Sequence, residues 1–304
     1  MSLRMNAARL AALTAFAVCA TLSHAQGTED APVAPTPAEV AQAASEAQSG
    51  GRAIPAVPPI NETLQQAAQR YQASFSKAMG SAAIQLPDDE VAEDKAVLAQ
   101  KTQSGDLKIE STQFVVVANV LYKKQTASLW MVDPQGNAEL IGAGKTSSGR
   151  RGRFDYYLTP NGIFQNASEN GNFRAEGTKN EHGIRGYGVK GMRIYDLGWQ
   201  ETYGGWGKLN PAKIRLQMHS TDPTYLEGRL GMPDSKGCVR VHEKFNRFVD
   251  TNAVLDRSFE ENGPTWVLNK GRHASPYSGS YVVIHRWDGS QELPTEAERV
   301  KAAR

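Results

Sequence analysis

A thiol and an imidazole stand nineteen residues apart in the second half of this 304-residue chain. Cys238 lies inside Ser235-Lys236-Gly237-Cys238-Val239-Arg240, and His219 closes the run Lys213-Ile214-Arg215-Leu216-Gln217-Met218-His219-Ser220. A free thiol, with a pKa of about 8.5, is only a few per cent thiolate at neutral pH, so a nucleophilic cysteine gains from a neighbouring base. His219 is the leading candidate for that base, with Ser220 beside it. The chemistry on offer is attack of sulfur on an acyl carbon. Gly237, lacking a side chain, lets the amides around Gly237 and Cys238 come close to a developing oxyanion, and Ser235 can hold that loop by hydrogen bonding. Arg240, one strand period from Cys238, can receive a substrate carboxylate or close an internal salt bridge, and Lys236 is a second cation within reach of substrate or thiol.

Two strands are expected to position these groups. Ile214, Leu216 and Met218 alternate with Arg215, Gln217 and His219, so a strand burying the first set turns His219 to the other face. Val239 and Val241 alternate with Cys238 and Arg240 in the same way. Two short apolar rows then enter the core, and Cys238, Arg240 and His219 are expected to line one exposed surface. His242 falls at the start of a helix expected from about Glu243 to Asp250, which fits a capping or surface role, while His182 sits in a glycine-rich stretch that can reach the groove.

Composition places these elements in one sizeable globular domain with less ordered additions. Arg4 and Arg9 precede an apolar run from Leu10 to Leu22 and then Ser23-His24-Ala25, the layout of a secretory signal peptide over residues 1–25, too short to span a bilayer. Its removal takes two cations from 34, leaving 32 against 32 acidic residues, so no general attraction to nucleic acid or anionic membrane is implied. Cys19 leaves too, and Cys238 remains as a single thiol in an exported chain. Residues 26–60 read as an Ala/Pro-rich disordered leader. Residues 61–110 read as a helical extension: Leu64, Tyr71, Phe75 and Met79 share a helical face between Asn61 as cap and Gly80 as stop, and a second helix follows Pro87. From about 111 the texture is β, with strands expected at Phe114–Val120, Ser128–Val132, Ala138–Ala143 and Thr265–Leu268. The ten glycines between 170 and 208 argue against helix there, and Tyr187, Tyr195, Trp199, Tyr203 and Trp206 can wall a groove. Residues 271–304 form a C-terminal extension with one more apolar run, Tyr281-Val282-Val283-Ile284.

His219-Ser220, then Ser235-Lys236-Gly237-Cys238-Val239-Arg240, with Thr159-Pro160-Asn161-Gly162-Ile163-Phe164 upstream, resembles the catalytic domain of the L,D-transpeptidases, the cysteine enzymes of bacterial peptidoglycan. Lys236 stands where many members have His, and Ser220 where many have Gly. The resemblance covers about residues 111–270. It implies a mainly β, sandwich-like catalytic domain with a few short helices, in which Cys238 attacks the carbonyl between the third residue and D-Ala of a tetrapeptide stem. An amine of a second stem or of an envelope protein then takes the acyl group. It also implies an envelope or periplasmic location, no metal or organic cofactor, acylation by carbapenems, and a His219 ring held by the Ser220 carbonyl. Two other readings stay open: a hydrolase of the same fold that ends with water, and a non-catalytic wall-binding module. A zinc site lacks ligand spacing, since one cysteine is joined only by dispersed histidines.

Overall fold

The computed structural model describes residues 60–121 and 124–285. The expected signal peptide, the leader up to residue 59 and the last part of the C-terminal extension lie outside them.

Helix α1 (Leu64–Met79) starts at a capping box: Thr63 Oγ1 accepts the Gln66 N–H at 3.2 Å, and Gln66 Oε1 accepts the Thr63 N–H at 2.9 Å. The cap is therefore Thr63 and not Asn61, because the hydroxyl and the amide three residues on satisfy each other's orphan donors. Thr63→Ala is expected to cost about 1 kcal/mol, read as a lower urea midpoint at unchanged slope. Gly80, at φ 54°, ends the helix as expected. Strand β1 (Ala83–Ile84) and helix α2 (Asp88–Gln103) follow, with Asp88, Asp89 and Glu90 in the first turn of α2, where the helix dipole favours negative charge.

The chain is mainly β. Strands β2 (Gln113–Asn119), β3 (Thr126–Val132), β4 (Ala138–Ser147), β5 (Gly162–Gln165), β6 (Phe173–Arg174), β7 (Arg193–Tyr203), β8 (Pro211–Ser220), β9 (Val239–Val241) and β10 (Tyr281–His285) join in the order β5-β10-β2-β3-β4-β9-β8-β7-β6, with β1 on β4. The sheet is mixed: β10–β2 and β8–β9 are parallel, and the other pairs are antiparallel. Phe114 of β2 and Val282 of β10 share one core with Met218 of β8, Val239 of β9 and the apolar face of α1. A sheet whose two halves meet the same core has curled around it. The two halves of this one hydrogen-bonded path face each other across that core.

Aromatic contacts fasten α1 into this core. Phe75 meets Phe245 and Phe248 of α3 (Glu243–Thr251) edge-on, at centroid distances of 5.9 and 5.0 Å, and Tyr71 meets Phe114 at 4.8 Å. A Cβ on Gly142 would stand 2.3 Å from the Phe75 ring, so only glycine lets α1 come this close to β4. On the other face, α2 buries Leu98 against Trp130, Val115 and Val117.

Two expectations need correction. The boundaries at 110 and 270 do not divide the fold, because α1 fills the main core and β10 sits between β5 and β2 inside the sheet. Thr265–Val267 is a single 3₁₀ turn and not a strand. The glycine-rich stretch forms no α-helix, as expected, and contains an eleven-residue strand, β7, in which Gly198 (φ 80°) takes up the bulge opposite β8. Among the described residues no helix is long and apolar enough to cross a membrane.

Candidate active site

The parallel register of β8 on β9 brings the predicted groups together. Met218 pairs with Val239, His219 with Arg240 and Ser220 with Val241. Met218, Val239 and Val241 enter the core, so strand alternation sends His219, Gln217, Arg240 and Cys238 to the opposite face. Cys238 and His219 are then diagonal neighbours on one face, with Cα atoms roughly 8 Å apart. That face is not the open surface expected from sequence: Cys238 is 8% exposed, Arg240 4% and His219 2%. Tyr187 is one reason. Its ring meets the His219 ring edge-on at 4.8 Å, its carbonyl accepts the Ser220 hydroxyl at 3.0 Å, and its phenol donates to Gln217 at 2.9 Å.

Burial decides the protonation states. His219 Nδ1 lies 2.5 Å from the Ser220 carbonyl; a carbonyl only accepts, so Nδ1 carries the proton and Nε2 keeps the basic lone pair. Desolvation pushes the imidazole pKa down to about 3 against the Ser220 hydrogen bond, and the Arg240 charge adds to the fall. Desolvation likewise pushes the Cys238 thiol up to about 11, in spite of backbone hydrogen bonding from β8 and the charge of Arg240. The thiol's hydrogen bond runs to the Arg215 carbonyl at 4.0 Å, the long limit for sulfur, and not to the imidazole. At neutral pH the resting couple is therefore thiol and neutral imidazole. Alkylation of Cys238 by iodoacetamide should be slower at pH 7 than that of an unfolded cysteine peptide and should climb toward pH 11. A rate midpoint below pH 8 would contradict this assignment.

The loop before Cys238 is held from both sides. Ser235 Oγ accepts the Gly237 N–H at 3.0 Å and donates to the Cys238 carbonyl at 2.6 Å, the loop-holding role expected of it. This engages the Gly237 amide inside the loop. Gly237 has φ 136°, and a Cβ there would stand 2.9 Å from Ile214 Cδ1, so the turn requires glycine. Thr159 Oγ1 donates to the Gly237 carbonyl at 2.7 Å and accepts the Gly149 N–H at 2.8 Å. The Thr-Pro-Asn-Gly segment thus props the cysteine loop, a role its distance in sequence concealed.

Both cations expected to meet substrate are engaged within the fold. Arg240 pairs with Asp234 at 3.3 Å, the internal salt bridge of the two roles open to it, and Lys236 pairs with Asp155 at 2.7 Å. Asp234 also takes Arg229 at 2.5 Å, and its place beside Ser235 was the sequence signal that went unread. His242 caps α3, accepting the Lys244 N–H at 3.1 Å, as expected. His182 is exposed, 3.6 Å from Glu181.

No family model and no curated protein matches the chain. The site therefore rests on its own geometry. Among the described residues no group of three His, Cys, Asp or Glu is arranged to hold a metal ion. A cleft of about 1180 Å³ opens next to the cysteine loop, between Leu86 and Glu90 on one side and Arg229 and Asp234 on the other, over Lys145 and Gly149.

Proposed function

We propose that the chain is an exported L,D-transpeptidase acting on peptidoglycan stems. One observation carries the reading: a histidine whose Nδ1 proton is fixed on the Ser220 carbonyl shares a sheet face with Cys238, the one cysteine among the described residues, held on a propped glycine loop. A triad needs its base in one tautomer, and a backbone carbonyl does here what a carboxylate does elsewhere.

In the proposed reaction a χ1 rotation carries Sγ from the Arg215 carbonyl toward His219 Nε2, which takes the thiol proton as sulfur bonds to the carbonyl carbon of the third stem residue. The bond to D-Ala breaks, and the proton passes from His219 to the departing amine. An incoming amine then attacks the thioester, the carbon–sulfur bond breaks, and the amine's proton returns through His219 to sulfur. Charge on the tetrahedral oxygen falls to donors near Cys238 other than the Gly237 amide, which Ser235 already holds. The resting shifts oppose this transfer, since a base at about 3 faces a thiol at about 11, so the scheme requires substrate binding to narrow that gap before His219 takes the proton.

Incubating the full chain with disaccharide-tetrapeptide muropeptides, with products read by mass spectrometry, tests the reading. Release of D-Ala with cross-linked dimers is expected. Trimmed tripeptides without dimers would make the enzyme a hydrolase, and unaltered substrate with persistent binding to sacculi would leave a wall-binding module.

A further inference from the structure

We propose that the cleft beside the cysteine loop is a docking groove for this chain's own C-terminal segment, residues 286–298, taken up as an extended acidic strap. The sheet delivers the chain to that groove. β10 runs parallel to β2 with His285 opposite Asn119, and the Val120 N–H donates to the His285 carbonyl at 2.9 Å, so β10 ends against Val120, which lines the groove with Leu121. His285, Asn119, Thr126 and Lys145 form one register row across β10, β2, β3 and β4. Their side chains share the outer face of the sheet. His285 meets Asp94 of α2 at 2.7 Å, Asn119 and Thr126 both bond Glu90, and Lys145 follows Gly144, where a Cβ would strike Met79 of the core at 2.8 Å. Three strand spacings, about 15 Å, separate His285 from Lys145, a gap that about five extended residues cross.

Charge and apolar surface match the segment to the groove. Lys124, Lys145 and Arg151 line it with no carboxylate partner among the described residues, whereas Arg150 and Arg229 are engaged by Asp234. Residues 286–298 carry Asp288, Glu292, Glu296 and Glu298 against Arg286. Opposite charge therefore meets across the groove. Trp287 and Leu293 supply apolar groups for Leu86, Leu121 and Met232, and the described residues leave Met232 56% exposed. At about 1180 Å³ the groove exceeds the usual size of a small-molecule pocket and has room for several residues of a peptide.

Position selects this segment over the acidic leader. The leader joins the fold at the N-terminal end of α1, where Glu62 accepts the Tyr277 phenol at 2.6 Å, and the groove lies beyond the other end, where Met79 leads on to Ile84. Sixteen helical residues put about 24 Å between those ends. A tethered strap also acts at a high effective concentration, so it fills the groove without the affinity that a free peptide needs. Any solute bound there must first displace it. Neither Cys238 nor His219 lines the groove, and the docking is independent of the transpeptidase reaction.

Amide hydrogen exchange on the full chain, read by mass spectrometry, tests the docking. Amides of residues 288–296 should exchange at least about tenfold more slowly than in a synthetic peptide of residues 286–298, and Lys145→Glu with Arg151→Glu should remove that slowing. Both side chains are exposed, so the double variant should keep the wild-type melting temperature, and Lys145→Arg should keep the slowing as well. Carbodiimide treatment of the wild type gives a second readout, an amide formed within one chain between Lys124 or Lys145 and a carboxylate of residues 288–298. Wild-type exchange as fast as that of the peptide overturns the inference, as does slowing that survives the double charge reversal. Coupling of these lysines to a leader carboxylate such as Glu39 overturns it in favour of the leader. Coupling found only between copies, in a mixture of ¹⁴N and ¹⁵N chains, overturns it in favour of a second molecule.

Discussion

Cys238→Ala is expected to lower D-Ala release by at least about 10⁴-fold, because removing a covalent nucleophile leaves only what binding and fixed dipoles supply. The same variant should show no mass increase after exposure to a carbapenem, whereas the wild type gains one covalent equivalent. Folding is not the cause of such a loss. The side chain is small and buried, and trading its sulfur for a small void costs about 1–2 kcal/mol, so circular dichroism and the melting profile should stay close to wild type. Cys238 is the one cysteine among the described residues, which makes the mass readout unambiguous there. An adduct that persists in Cys238→Ala would remove this residue from the reaction. An adduct lost together with the folded state would call for Cys238→Ser, which keeps the volume more closely and should be equally slow.

The parts of this site legible in sequence are those written in local periodicity. The alternation of Ile214, Leu216 and Met218 with Arg215, Gln217 and His219 is the alternation of β8 itself, and the recurrence of Tyr71, Phe75 and Met79 is the buried face of α1. Ser235 beside glycine and His242 at a helix start act through partners two or three residues away. What was not legible depends on pairing across long stretches of chain. β10 reads as a trailing apolar run, yet it lies inside the sheet because its parallel partner β2 is well over a hundred residues earlier. The burial of His219 depends in part on Tyr187, which belongs to an irregular segment with no period to follow. Arg240 carries the same formal charge whether it faces solvent or Asp234, and only the fold of the loop from Arg229 to Ser235 decides. Strand period names the face, and long-range packing decides whether that face is wet.

His219→Gln should change the shape of the pH profile as well as its height. In the wild type, with the imidazole at about 3 and the thiol at about 11, the reactive couple of neutral thiol and neutral imidazole persists across the whole interval. Carbapenem acylation, followed by intact mass between pH 5.5 and 9, should therefore be nearly flat. Glutamine keeps much of the volume and can still donate to the Ser220 carbonyl, but it cannot take the thiol proton. Acylation then depends on the thiolate alone, and a group titrating near 11 has roughly one part in 10⁴ ionised at pH 7. The rate at pH 7 should fall by about 10²–10⁴-fold, and it should rise close to tenfold for each pH unit until the thiol titrates. The slope separates this role from a structural one: a variant that merely loosened the loop would lose rate at every pH in equal proportion. A flat profile surviving in His219→Gln would mean that the proton leaves Cys238 by some other path, and the base would have to be sought elsewhere on the same sheet face.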